Sequence, residues 1–147
     1  MAYAPLVFWI ALILFFSGSR GSVEETSGIF RPLIEFFFPS LTPEDIIFYY
    51  GYVRKFLHFT VYAILGFLAF RAISANSDRS AFRTTLIALL ISLAVALTDE
   101  YVQSLDPSRT GTLYDVAIDM AGAVSMILVI YVLRSKRNQK VGVKTSH

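Results

Sequence analysis

The chain has no cysteine, which excludes disulfides, thiolate metal sites and cysteine nucleophiles together. It is also poor in charge: Asp, Glu, Lys and Arg make up 16% of its residues, against about 25% in ordinary globular domains. The charges that exist are bunched, and whole windows carry none. Internal repeats and low-complexity segments are lacking, and no basic patch is interleaved with aromatics. The net charge of +2 and the pI near 9.0 therefore do not indicate nucleic acid as a partner. What is present in excess is oil: a hydrophobic fraction of 55% and a mean hydropathy of +0.58. A chain of 147 residues with this composition is expected to form one membrane-embedded domain.

Roughly 20 mostly apolar residues are needed to cross about 30 Å of hydrocarbon. The apolar passages predict four spans, at about 3–18, 46–72, 83–104 and 113–134. The first, Ala2–Phe16, is short and fits either a cleaved signal peptide, with Ser17-Gly18-Ser19 as a small-residue exit, or an uncleaved first helix; the lack of a preceding Lys or Arg favours the uncleaved helix. Between the first and second spans, Arg31 to Pro39 is too short to cross and too aromatic for a water-filled loop. It is expected to lie in the headgroup plane, and Phe36–Phe38 with Tyr49, Tyr50 and Tyr52 are expected to form an interfacial belt. The predicted fold class is thus an all-α membrane protein, a four-transmembrane-helix bundle with an interfacial aromatic segment between helices 1 and 2. Thr42-Pro43-Glu44-Asp45 has the grammar of a helix start: a capping hydroxyl, proline at the first helical position, then acids at the positive dipole end.

Orientation follows from Lys and Arg flanking the spans. Arg134, Lys136, Arg137, Lys140 and Lys144 crowd the tail, while Arg71, Arg79 and Arg83 flank the connection between the second and third spans. Both regions are expected in the cytoplasm, as are both termini, in a multi-pass protein of the cytoplasmic membrane. Among the eleven acids, only Asp78 then falls in a cytoplasmic loop.

Polar residues recur at helical spacing inside these spans. Lys55, His58, Tyr62 and Gly66 step by three, four and four; Ser92, Ala96, Asp99 and Gln103 do the same, with Glu100 a quarter-turn aside. The fourth span offers Asp115, Asp119 and Gly122, with Ala117, Ala121 and Ser125 as an adjoining small-residue edge suited to close helix approach. At about 1.5 Å per residue, His58, Asp99 and Asp119 fall at one level in the outer half of the bilayer. A carboxylate there costs about 2.5–3.5 kcal/mol on insertion scales, so these groups should turn inward and find Lys55, Arg109 or His58. Thr112-x-x-Asp115 has capping-box spacing and should open the last helix, leaving Arg109 on the lip, able to fork onto a carboxylate or phosphate.

Taken together, "KFLHFTVYAILGFLAF" (55–70) and "ALTDEYVQSLDPSRTGTLYDVAIDMAG" (96–122), separated by a basic connection, resemble the VanZ-like family of small bacterial membrane proteins. The Lys-x-x-His-x-x-x-Tyr and Asp-Glu-x-x-Gln…Pro-x-Arg…Asp-x-x-x-Asp-x-x-Gly spacings are specific in combination. Family members usually carry glycine between the Pro and the Arg, where this chain has Ser108. The matching spacings cover residues 55–122, and the four-span layout extends the resemblance to a VanZ-like integral membrane domain over 1–134; the Lys- and Arg-rich residues 135–147 are expected to form a basic cytoplasmic tail. The resemblance also implies a link to resistance against the glycopeptide teicoplanin in founding members, but no known reaction.

The candidate pocket residues are Lys55, His58, Tyr62, Asp99, Glu100, Gln103, Arg109, Asp115 and Asp119. They fit either a structural ion-pair network or a site. The surplus of acids over permanent cations favours a site, because a structural network gains nothing from unpaired charge. The leading expectation is a non-enzymatic envelope protein whose outward-facing polar pocket binds a lipid, a lipid-linked cell-wall intermediate or a glycopeptide antibiotic. The alternatives are an intramembrane lipid-modifying hydrolase or transferase using His58 and carboxylates, and a cation- or proton-coupled carrier. A metal site with His58 and carboxylates as ligands is a further alternative, but no cofactor or metal is assigned, since no tight local ligand motif is visible.

Overall fold

The computed structural model describes residues 2–17, 32, 34–75, 80–105 and 112–144. Among the described residues four long α-helices carry the architecture: α1 (Ala4–Ser17), α2 (Pro43–Ser74), α3 (Ala81–Ser104) and α4 (Leu113–Lys144). Arg109 and the rest of 106–111 lie outside the described residues, as do Asp78, Arg79 and the last three positions.

Helix starts follow local chemistry. Thr42 caps α2 through a reciprocal pair: its hydroxyl accepts from the Asp45 N–H, and the Asp45 carboxylate accepts from the Thr42 N–H at 3.1 Å. Ser80 caps α3 by accepting from the Arg83 N–H. Thr112 caps α4, accepting from the Asp115 N–H at 3.2 Å and donating its hydroxyl to the Asp115 carboxylate at 2.9 Å. Each cap satisfies donors the first helical turn cannot pair internally.

Two expectations need correction. Among the described residues three helices, not four, are long and apolar enough to cross a membrane: Glu44–Ser74 of α2, all of α3, and Leu113–Leu133 of α4. The first helix is apolar but only 14 residues long, about 21 Å at 1.5 Å per residue, short of the roughly 30 Å of a hydrocarbon core. The aromatic cluster, in turn, sits within a membrane-crossing helix instead of an interfacial loop. Phe48, Tyr49 and Tyr52 are in the first turns of α2 and meet edge to face, with Phe48 centroids 5.9 and 4.9 Å from those of Tyr49 and Tyr52. The Thr42 cap extends helix through them, so their residue type marks no loop.

The most extensive interface joins α2 to α4, and small residues set its distance. A Cβ on Gly66 would stand 2.9 Å from the Ala123 carbonyl oxygen, and one on Gly122 would run into the Phe59 carbonyl. Val116, Asp119, Ala123 and Ile127 form the buried stripe of α4. The small-residue edge expected at Ala117, Ala121 and Ser125 faces outward, because burial of Asp119 rotates that edge away from α2. Leu65, Ala69, Ala72, Ala88 and Ala96 are sealed in the centre. Phe67, Leu90 and Leu128 stay exposed on the outer faces, as expected of helices that present oil to lipid. α1 packs across α2 and α3, where the Trp9 indole N–H donates to the Val61 carbonyl at 3.1 Å and the Ser17 hydroxyl to the Asp99 carbonyl at 2.9 Å.

A candidate site of His58, Asp99 and Asp119

Three helices each contribute one member. His58 stands midway along α2, Asp99 in the last turns of α3, and Asp119 in the second turn of α4. One ligand-type atom from each lies within 4.8 Å of the others. His58 Nδ1 is 3.1 Å from Asp119 Oδ1, with Asp119 fully buried and the imidazole 18% exposed. Asp119 Oδ2 is buried and has no hydrogen-bond partner among the described residues.

Asp99 is held on both oxygens. The buried Tyr62 hydroxyl donates to Oδ2 at 3.0 Å, and the Gln103 amide NH₂ donates to Oδ1 at 2.9 Å. Gln103 Oε1 in turn accepts from Arg54 Nη2 at 2.7 Å. A guanidinium only donates and a carboxylate only accepts, so these neighbours determine the orientation of the Gln103 amide. The polar run Arg54–Gln103–Asp99–Tyr62 stitches α2 to α3, and His58–Asp119 stitches α2 to α4.

His58 and Asp99 of this cluster line a cavity of about 330 Å³ between α1, α2 and α3, with Asp119 behind His58. Trp9, Leu12, Ile13 and Phe16 supply its α1 wall, and Val53, Leu57 and Val61 its apolar α2 wall; Arg54, His58, Tyr62, Asp99 and Gln103 close the other end. An apolar chamber with a few convergent polar groups is the usual form of a small-molecule site.

Of the residues anticipated from sequence, His58, Tyr62, Asp99, Gln103 and Asp119 converge here. Glu100 is buried beside them but points toward the connection: its Oε2 accepts from the Thr112 N–H at 2.9 Å, while Oε1 lacks a partner among the described residues. Asp115 serves the Thr112 cap. Lys55 is exposed, its ammonium 4.8 Å over the Tyr114 ring, a cation–π contact outside the cluster. Arg109 falls outside the described residues. Arg54 and the α1 wall were not anticipated. At 100° per residue Arg54 and Tyr62 flank His58 by about 40° on either side, and Lys55 lies about 60° from His58 on the Tyr62 side, so the angle alone does not set Lys55 apart. The i, i+4, i+8 spacing of Arg54 was the readable signal.

The chain belongs to the VanZ/LLP1 family, whose model matches residues 2–134. No curated protein and no solved structure matches it. From that membership, and from three described helices long and apolar enough to cross a membrane, the protein is a VanZ-like multi-pass membrane protein of the bacterial envelope. The described part of the site lies within the matched region, on those crossing helices and on α1.

Proposed function

We propose that the protein carries out acid–base chemistry on the head of a membrane lipid, as an intramembrane hydrolase or transferase. The observation that carries this reading is the His58–Asp119 pair beside a fully partnered Asp99, at the polar end of an otherwise apolar cavity. Asp119 orients the imidazole through Nδ1, which leaves Nε2 to take a proton from a water or a lipid hydroxyl. The apolar chamber suits a hydrocarbon chain. Arg54, with one described hydrogen bond, to Gln103, has donors left for an anionic headgroup.

The cavity volume also weighs between ligands. About 330 Å³ is at the low end for small-molecule sites and suits a lipid chain or headgroup much better than an entire glycopeptide. A teicoplanin-resistance role, where it exists, would then arise from altered envelope lipid and not from antibiotic held in the cavity.

The test is turnover in proteoliposomes made from bacterial envelope lipids, followed by mass spectrometry of every lipid class, with and without divalent metal. Wild type should convert one class. His58→Gln, matched for helical content by circular dichroism, should be slower by roughly 10²–10⁴-fold, the usual contribution of a positioned base. A folded wild type that leaves all classes unchanged under both conditions would overturn the reading.

A further inference from the structure

We propose that His58, Asp99 and Asp119 are the protein ligands of a divalent transition-metal ion, which makes the polar end of the cavity a metal centre. The inference deepens the lipid-chemistry reading and rests on it for what the ion does, though not for whether the ion binds; with the ion bound, His58 is a ligand and a coordinated water, not the imidazole, is the group that exchanges the proton.

The first ground is geometric. Metal–ligand bonds of about 2.0–2.2 Å to nitrogen and oxygen keep any two ligands of one ion within roughly 4.4 Å. The three residues already offer atoms within 4.8 Å of one another, and one pair is at 3.1 Å. Side-chain rotations of a few tenths of an ångström close the remainder.

A second, independent ground is an orphaned atom. Asp119 is 0% exposed, and its Oδ2 has no hydrogen-bond partner among the described residues. Buried carboxylate oxygens are ordinarily paired or coordinate a metal.

Charge is the third. Asp99 and Asp119 are both buried, and the guanidinium lining the same cavity, Arg54, is hydrogen-bonded to the Gln103 amide and to neither carboxylate. A dication with neutral His58 would balance the two carboxylates and remove the penalty of unpaired charge in a medium of low dielectric.

The surrounding residues are those such a centre needs. Tyr62 and Gln103 hold Asp99 by one hydrogen bond on each oxygen, leaving a lone pair on each for the ion. That is how outer partners commonly orient a ligating carboxylate. An imidazole nitrogen with two carboxylates suits zinc or manganese; magnesium and calcium prefer oxygen alone, and copper(I) prefers sulfur. An ion bound there would acidify a coordinated water and polarise an ester or phosphoryl oxygen.

The experiment needs no substrate. Full-length protein in lipid nanodiscs is stripped with chelator, equilibrated separately with zinc, manganese and cobalt, desalted, and assayed for metal by elemental analysis. The cobalt form is also read by its visible ligand-field absorption. Wild type and Lys55→Ala should retain about one equivalent per chain, and Asp119→Asn and Asp99→Asn should lose it. Tyr62→Phe, which removes only a hydroxyl outside the ligand set, should weaken retention by roughly 10–100-fold with the helical content unchanged. Retention of none of the three ions by folded wild type, or undiminished retention in folded Asp119→Asn and Asp99→Asn, would overturn the proposal. Lipid turnover by metal-free protein would remove the ion and leave His58 as base. A bound ion without turnover would remove the lipid chemistry and leave the centre.

Discussion

His58 and Asp119 are unequal partners. The carboxylate is fully buried and the imidazole keeps 18% exposure, so removing either one leaves a different remnant. Without His58, a buried acid loses the one hydrogen-bond partner described for it. Without the acid, the imidazole can remain neutral and hydrated. Truncating one side of a buried pair is strongly destabilising when a charge is stranded. His58→Ala should therefore lower the unfolding midpoint in detergent-titrated circular dichroism more than Asp119→Asn does. The double variant should recover part of the loss, with a coupling of about 0.5–3 kcal/mol. Additive losses of equal size would show that the pair is not a unit. The reach of Arg54 is a residue-scale matter too: its partner Gln103 lies 49 positions away on another helix, so spacing alone could nominate Arg54 but could not name what it touches.

Among the elements, α2 and α4 form the interface on which the site depends, and two glycines of α2 and α4 experience opposite surroundings from a third. A methyl on Gly122 collides with the Phe59 carbonyl, one residue from His58, while one on Gly51 meets nothing within 4 Å. Gly122→Ala should push α4 from α2, costing about 1–3 kcal/mol as overpacking does, and should separate His58 from Asp119. Gly51→Ala should instead stabilise by up to about 1 kcal/mol, the helix-propensity difference. Unfolding midpoints of both, measured side by side, check the pair; a destabilised Gly51→Ala variant would mean that α2 must bend there. Helix starts were legible because a cap is a local event: Thr42 and Thr112 bond to residues three positions on. The length of the first helix was legible too, expected at about 3–18 and found at Ala4–Ser17; what failed was counting so short a helix as a crossing.

For the whole molecule, the orientation read from Lys and Arg yields a direct test, because a chain without cysteine accepts single reporter thiols without background. A cysteine at Ser80, ahead of α3, should react only with a membrane-permeant maleimide in intact cells. One at Thr112, ahead of α4, should react with an impermeant reagent added outside. The reverse pattern would invert the molecule and place the connection between α3 and α4 in the cytosol. Composition and periodicity by themselves determined that the chain is helical and membrane-embedded, where two of its crossing helices begin, and that His58, Asp99 and Asp119 share a level. All of these depend on length, hydropathy and neighbours within a few residues. Only the tertiary structure decided that Arg54 joins the cluster while Lys55 lies over Tyr114. It alone shows that α1 walls a cavity over the polar groups. Those outcomes turn on how far each helix is rotated about its axis, and that rotation is set by contacts such as Gly122 on Phe59 between residues far apart in the chain.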